Sequence, residues 1–153
     1  MSDDARLRSL YRDVVLTHSR EPHNFRRMED PQSRAEGHNP LCGDKITMYL
    51  KRDDDTLSDV CFEAAGCAIS IASASILTDM TRGQPVNKAR TIAAGVLSML
   101  EEGNDKGGSG EMTALAGVRA YPSRVRCATL AWRTFQAALA GTGAPVTTEQ
   151  KDH

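Results

Sequence analysis

The sequence predicts an α+β fold, a small antiparallel sheet packed against helices. Two patterns carry that prediction. Period-2 alternation of apolar and polar residues is confined to one stretch, Ile46 to Ala64, whereas helical periodicity precedes it once and then dominates everything after Cys67. Composition agrees: 153 residues with 40% hydrophobic and 25% charged side chains suit one compact domain over residues 1–153. Residues 1–5 and 142–153 are expected to be disordered tails.

Along the chain, Leu7, Leu10, Tyr11, Val14 and Val15 fall on one stripe of an amphipathic first helix, with Ser2 to Asp4 suited to cap its start. That helix must end before Glu21-Pro22, because proline disfavours helical geometry in its predecessor. From His18 to Pro40 the chain is polar and broken by Pro22, Pro31, Gly37 and Pro40, which reads as a long wrapping loop without a periodic face. Ile46, Met48 and Leu50 then alternate with polar neighbours, Asp53-Asp54-Asp55 makes a turn, and Val60, Phe62 and Ala64 line a second strand. The two strands should pair as an antiparallel hairpin.

The period switches at Ala68. Ala68 to Met80 is Ala/Ile/Leu-rich and reads as a largely buried helix stopped by Gly83 and Pro85. A further helix is expected over about Lys88 to Leu100, with Ile92, Val96, Leu97 and Leu100 inward. Residues 101–110 (EEGNDKGGSG) read as a surface loop; no strand precedes their glycines and no Gly-Lys-Ser/Thr follows, so they carry no phosphate-binding signature. A last helix is expected from about Arg124 to Ala140, burying Val125, Ala128, Ala131 or Trp132, Phe135 and Leu139, with Gly141 ending it.

Charge narrows the function. Nineteen Lys+Arg against 20 Asp+Glu leave a formal charge of −1, which disfavours a general nucleic-acid binder. No apolar run approaches a membrane span, and the acidic start Met1-Ser2-Asp3-Asp4 is unlike a signal peptide. The expectation is a cytoplasmic protein that works on neither nucleic acid nor membrane.

Four cysteines stand out: Cys42, Cys61, Cys67 and Cys127. Free cysteine is among the most buried residue types, so inert core thiols are the bland alternative. Placement argues otherwise for three of them. Cys42 lies in a loop just before the first strand, Cys67 opens a helix after Gly66, and Cys127 sits near the start of the last helix. Side chains at element ends can converge, and a helix N-terminus favours a thiolate. Asp44, two residues after Cys42 across a glycine, can add a fourth donor. Three thiolates and a carboxylate suit tetrahedral Zn²⁺, leaving a local charge of −2 that Arg124 and Arg126 can offset. The alternative for both arginines is ordinary solvated surface. The spacings, 24 residues between Cys42 and Cys67 and 59 between Cys67 and Cys127, match no paired Cys-x-x-Cys finger. Cys61, inside a strand beside Asp59 and Glu63, is expected to be a bystander. His18, His23, His38 and His153 are expected at the surface, with His38 the one nearest Cys42 in sequence.

Three segments in order, Asn39-Pro40-Leu41-Cys42-Gly43-Asp44, Gly66-Cys67-Ala68-Ile69-Ser70 and Arg124-Val125-Arg126-Cys127-Ala128-Thr129-Leu130-Ala131-Trp132, resemble the SufU branch of the IscU/NifU-like family of iron–sulfur cluster assembly proteins. The likeness runs from about Leu7 to Leu139 and includes Leu10-Tyr11 and His23-Asn24-Phe25. It implies a three-stranded antiparallel sheet flanked by helices and one zinc on Cys42, Asp44, Cys67 and Cys127. It also implies a zinc-dependent sulfurtransferase that accepts persulfide sulfur on Cys42 from a SufS-type cysteine desulfurase, with downstream SUF scaffold proteins as further candidate partners. In that family a histidine of the desulfurase is thought to replace the first cysteine on the zinc.

Two other readings remain open at this point. An IscU-type scaffold would assemble a transient [2Fe–2S] cluster, or hold iron, on the same ligands. Against it, that branch has His immediately before the third cysteine where this chain has Arg126, and it is shorter where this chain runs from Glu101 to Leu115. The segment Phe62-Glu63-Ala64-Ala65-Gly66-Cys67 departs mildly from the family in carrying alanines where a glycine is usual. A non-catalytic zinc-stabilised interaction module is the third reading; its ligands would be closed off and inert.

Overall fold

In a computed structural model of the chain, which describes residues 3–103, 110–141 and 146–147, the elements run α1 (Asp3–Arg20), β1 (Ser33–Asn39), β2 (Asp44–Asp53), β3 (Thr56–Ala65), α2 (Ala68–Thr81), α3 (Val86–Glu102), α4 (Glu111–Leu115), a 3-10 turn (Ala116–Ala120), α5 (Pro122–Ala140) and β4 (Val146–Thr147). The sheet order is β3-β2-β1-β4. β1, β2 and β3 pair antiparallel, as expected of this architecture, and the two-residue β4 adds to β1 in parallel.

The β2–β3 hairpin forms where the alternation places it. It turns at Asp54, whose φ of 55° lies in the left-handed region that short Asp side chains tolerate. Ile46, Met48, Leu50, Val60 and Phe62 are buried against the helices. The outer edge of β3 is covered rather than left open: Phe62 N–H donates to Asn24 O and Arg26 N–H to Phe62 O, so the chain after α1 runs along it.

β1 is where the structure overturns the sequence reading, which made residues 18–40 a loop. Its inward positions are Ala35, Gly37 and Asn39, small or polar residues that give no hydrophobic alternation. Smallness is the requirement there. α5 lies directly across this strand, and a Cβ on Gly37 would strike Thr134 Oγ1 while lying 3.0 Å from Leu130 Cδ1.

α5 is the central helix. It packs on β1, β2, α2 and α3, burying Ala128, Ala131, Trp132 and Phe135, with Val125 and Leu139 partly covered. Trp132 Nε1 donates to Ser73 Oγ at 3.1 Å, and Ser73 Oγ donates to Ala128 O at 2.6 Å, tying α5 to α2. The left-handed cap at Gly141 ends α5 as its sequence demands. In α1 the predicted stripe is only partly inward: Val15 is buried, Tyr11 and Val14 are half-buried, and Leu10 is exposed.

The expected tails divide. Asp3 to Ala5 belong to α1 and Val146-Thr147 to the sheet, both corrections, because helix and strand pairing extend further than the apolar pattern does. Residues 1–2, 142–145 and 148–153, with His153 among them, lie outside the described residues, as do 104–109 of the predicted surface loop. Glu101 and Glu102 of that stretch complete α3. Among the described residues no helix is long and apolar enough to cross a membrane.

Candidate metal centre

The β1–β2 connection, the start of α2 and α5 meet at one end of the sheet. Asn39 and Asp44 are register partners there, so Pro40 to Gly43 bulge outward and return Asp44 to the interior. Gly43 has φ 69°, a conformation that costs glycine little, and it lets the loop reverse between Cys42 and Asp44. Gly66 serves a different need. Its φ is 146°, and a Cβ there would sit 2.8 Å from Asp44 Cα and 3.0 Å from Asp44 Cβ. The chain entering α2 thus passes directly over Asp44.

That approach fixes the carboxylate. Cys67 N–H, at the N-terminus of α2, donates to Asp44 Oδ1 at 2.7 Å, and Asn39 Nδ2 donates to Oδ2 at 3.0 Å. Burial alone pushes the Asp44 carboxyl up, but hydrogen bonds from Cys67 N–H, Ser70, Cys127 and Asn39 reverse the shift and hold it below its ordinary value. It is a fully buried carboxylate held toward its ionised form.

Around it stand the three predicted sulfurs. Cys127 Sγ lies 3.2 Å from Cys42 Sγ, and Cys67 Sγ lies 3.9 Å from Asp44 Oδ2. Donor atoms of Cys42, Asp44 and Cys127 all fall within 4.8 Å of one another. A tetrahedral zinc with ordinary bond lengths has ligand edges of about 3.8 Å between two sulfurs and about 3.6 Å between sulfur and oxygen. Cys67 Sγ falls outside that group of three and approaches it through Asp44, and the Cys42–Cys127 pair is drawn closer than a zinc edge, so the four donors are gathered without an ion's spacing. Three sulfurs and one carboxylate suit zinc or iron chemistry better than calcium or magnesium.

The thiols are not equivalent. Cys67 is pulled down to about 6, first by its hydrogen bond with Cys127 and then, against burial, by the Ser70 N–H and hydroxyl. Cys127 is pushed up, first by that same bond to Cys67 and then by burial and by Cys42. The same Cys67–Cys127 hydrogen bond thus pulls the two thiols in opposite directions, Cys67 down and Cys127 up. The sequence placed both at helix N-termini. Cys67 does cap α2, but Cys127 is the sixth residue of α5, beyond the turn where the helix end stabilises charge.

Cys42 is half-buried at the solvent edge, next to Leu41, which is 59% exposed. Arg124 NH1 donates to Cys42 Sγ at 3.3 Å. Among the described residues Arg126 makes no side-chain hydrogen bond to any of the four ligands, so of the two only Arg124 reaches the centre. Beside Cys67 a groove of about 390 Å³ opens between α1 and the start of α5, lined by Tyr11, Val15, Leu16, Tyr121 and Arg124. Cys61 lies elsewhere. It is fully buried with Met28 and Tyr49 beneath the chain that follows α1, and burial pushes its thiol up.

Two residues escaped the sequence reading. Asn39 donates to Asp44 and, at 3.4 Å, to Cys127 Sγ, although it stands three residues before Cys42 in the motif itself. His18, expected at the surface, is 1% exposed; its Nδ1 meets Ser75 Oγ at 2.6 Å and its Nε2 meets Glu111 Oε2 at 2.8 Å. With His23, whose Nδ1 lies 2.5 Å from Asp79 Oδ2, it forms a clasp joining α1, α2 and α4. Both His18 nitrogens are already bonded, so the clasp is structural. His23 and His38 are exposed, as expected.

Comparison with known proteins agrees with this architecture. Residues 10–140 match the family model described as the NifU-like N terminal domain. The zinc-dependent sulfurtransferase SufU of Bacillus subtilis (strain 168) is 36% identical over 142 residues, covering 92% of this chain and 96% of that protein. The iron–sulfur cluster assembly scaffold protein IscU of Streptococcus pyogenes serotype M1 is 35% identical over 138 residues, covering 88% and 86%. Among solved structures, an iron–sulfur cluster assembly scaffold protein for the SUF system from Fervidobacterium islandicum AW-1 superposes with TM-score 0.79 at 31% identity, covering 86% of this chain and 97% of that one.

Proposed function

The chain belongs to the NifU-like N-terminal domain family of iron–sulfur cluster assembly proteins, and on that premise we propose that it is a zinc-dependent sulfurtransferase accepting persulfide sulfur on Cys42. The observation that carries the reading is the convergence of Cys42, Asp44 and Cys127 donors within 4.8 Å, with Cys67 closing the set and Cys42 alone held by an exposed partner.

Cys42, Asp44, Cys67 and Cys127 would hold the ion. Bound there, zinc keeps its sulfur ligands deprotonated at neutral pH, where a free cysteine is mostly thiol, and guards them against oxidation. The remaining chemistry belongs to the protein. Asp44 is locked by two hydrogen bonds and Cys127 is buried inside α5, so neither can leave without unpacking the core. Cys42 sits on the outward bulge between Pro40 and Gly43 and can swing toward a donor. Its thiolate attacks the outer sulfur of a persulfide on a SufS-type cysteine desulfurase. The donor's S–S bond breaks, the donor cysteine departs as thiolate, and the sulfur remains on Cys42 as a new persulfide. Arg124, donating to Cys42 Sγ, orients that sulfur at the solvent edge where the donor arrives.

The test is a desulfurase assay with the metal content of the protein measured in parallel. The purified protein should be colourless, contain one zinc and accelerate alanine release by the cognate desulfurase, and Cys42→Ala should lose all acceleration. Acceleration at the wild-type rate by Cys42→Ala would sink the proposal. A relative of comparable identity over most of this chain is named as a cluster assembly scaffold, which supports a second reading; a brown protein with stoichiometric iron and acid-labile sulfide would select it.

A further inference from the structure

We infer that Asn39 is the positioning residue of this centre, the group that fixes Asp44 and Cys127 as its permanent pair of ligands. The inference rests on the metal reading above. Asn39 is fully buried and ends β1 opposite Asp44. One side-chain nitrogen carries two hydrogens, and they are divided: one goes to Asp44 Oδ2 at 3.0 Å, the other to Cys127 Sγ at 3.4 Å. A single amide thereby links a ligand on β2 to a ligand on α5, two elements that share no covalent connection nearer than the whole of α2 and α3.

The two sides of the centre are held unequally. Asn39 acts in a dry interior, where hydrogen bonds are electrostatically strong and an unmade one is costly. Arg124, the group on Cys42, acts in water, where a charged contact is worth little. The restraint therefore falls on Asp44 and Cys127, and Cys42 is left as the ligand that can detach.

A donor on Cys127 Sγ also acts electronically. It stabilises the sulfur lone pairs, which makes Cys127 a poorer nucleophile and leaves Cys42 as the thiolate that meets the persulfide. Outer-shell partners of this kind are commonly worth about 10- to 100-fold in metal affinity.

Full-length protein loaded with Co²⁺ alone, in place of zinc, provides the test, because sulfur-to-cobalt charge transfer reports lone-pair energy. Asn39→Leu keeps the bulk and removes the donors. Its charge-transfer band should move to longer wavelength, and its Co²⁺ affinity should fall about 10- to 100-fold. Asn39→Ser, too short to bridge both ligands, should shift the band in the same direction and serves if the leucine variant does not fold. Folded variants with the wild-type band and affinity overturn the assignment and leave the metal reading standing. A lowered melting temperature with an unmoved band overturns it equally, since Asn39 would then be structural only. Wild-type protein that shows no thiolate-to-cobalt band overturns the metal reading itself.

Discussion

Cys42, in the connection between β1 and β2, and Cys61, within β3, belong to one small protein and have opposite fates. Cys61 faces Met28 and Tyr49, is fully buried, and is held as a thiol by the absence of water. Cys42 faces the Cys127 sulfur and the Asp44 carboxylate, keeps one side in solvent, and touches a guanidinium. Residue type is identical. What separates chemistry from packing is convergence at element ends, where a strand finishes, a helix begins and glycines let backbones approach. Mid-strand, a cysteine can meet only the side chains its pleat allows.

Four substitutions break or sharpen that contrast. The largest effect belongs to Cys42→Ser, which should abolish sulfur acceptance entirely while the protein stays folded, because Cys42 is only half-buried; persulfide formation and circular dichroism check the two halves. Next comes Gly66→Ala. Its Cβ has no room beside Asp44, and its φ of 146° suits glycine, so the new side chain must displace the carboxylate. Zinc affinity should drop at least about 10-fold, read by competition with a chromophoric chelator.

Smaller is Arg124→Gln. An exposed donor to a sulfur tunes more than it builds, so the rate of sulfur transfer should fall a few-fold with zinc content and stability unchanged. Last is Cys61→Ala. It removes one buried sulfur far from the centre and should cost about 1–2 kcal/mol of stability in chemical denaturation. Transfer should not change at all. The native wild-type protein offers a companion measurement: a soluble alkylating agent should modify Cys42 and leave Cys61 untouched until the protein is unfolded. A Cys61 that reacts in the native state would dissolve the distinction between the two regions.

The sequence showed one of these regions better than the other. Cys42, Asp44 and Cys67 fall at breaks in periodicity, which is what brings them to notice, whereas Cys127 lies six residues into α5; the hairpin, α2, α3 and α5 are legible from periodicity itself. β1 was not, since a helix pressed against it demands Ala35 and Gly37 where a pattern needs large apolar residues. Asn39 was hidden for the same reason, its role depending on a partner 88 residues away in sequence. The burial of His18 likewise depends on Ser75 and Glu111, which no local window joins to it. Local sequence encodes where elements start and stop. It does not encode what crosses over them.

The most direct measurement maps persulfide sulfur over all four cysteines by tandem mass spectrometry after the protein meets its desulfurase and free cysteine. One added sulfur on Cys42, with Cys61 and Cys127 unmodified, is the predicted result. Sulfur on Cys61 or Cys127 with Cys42 bare would contradict the account.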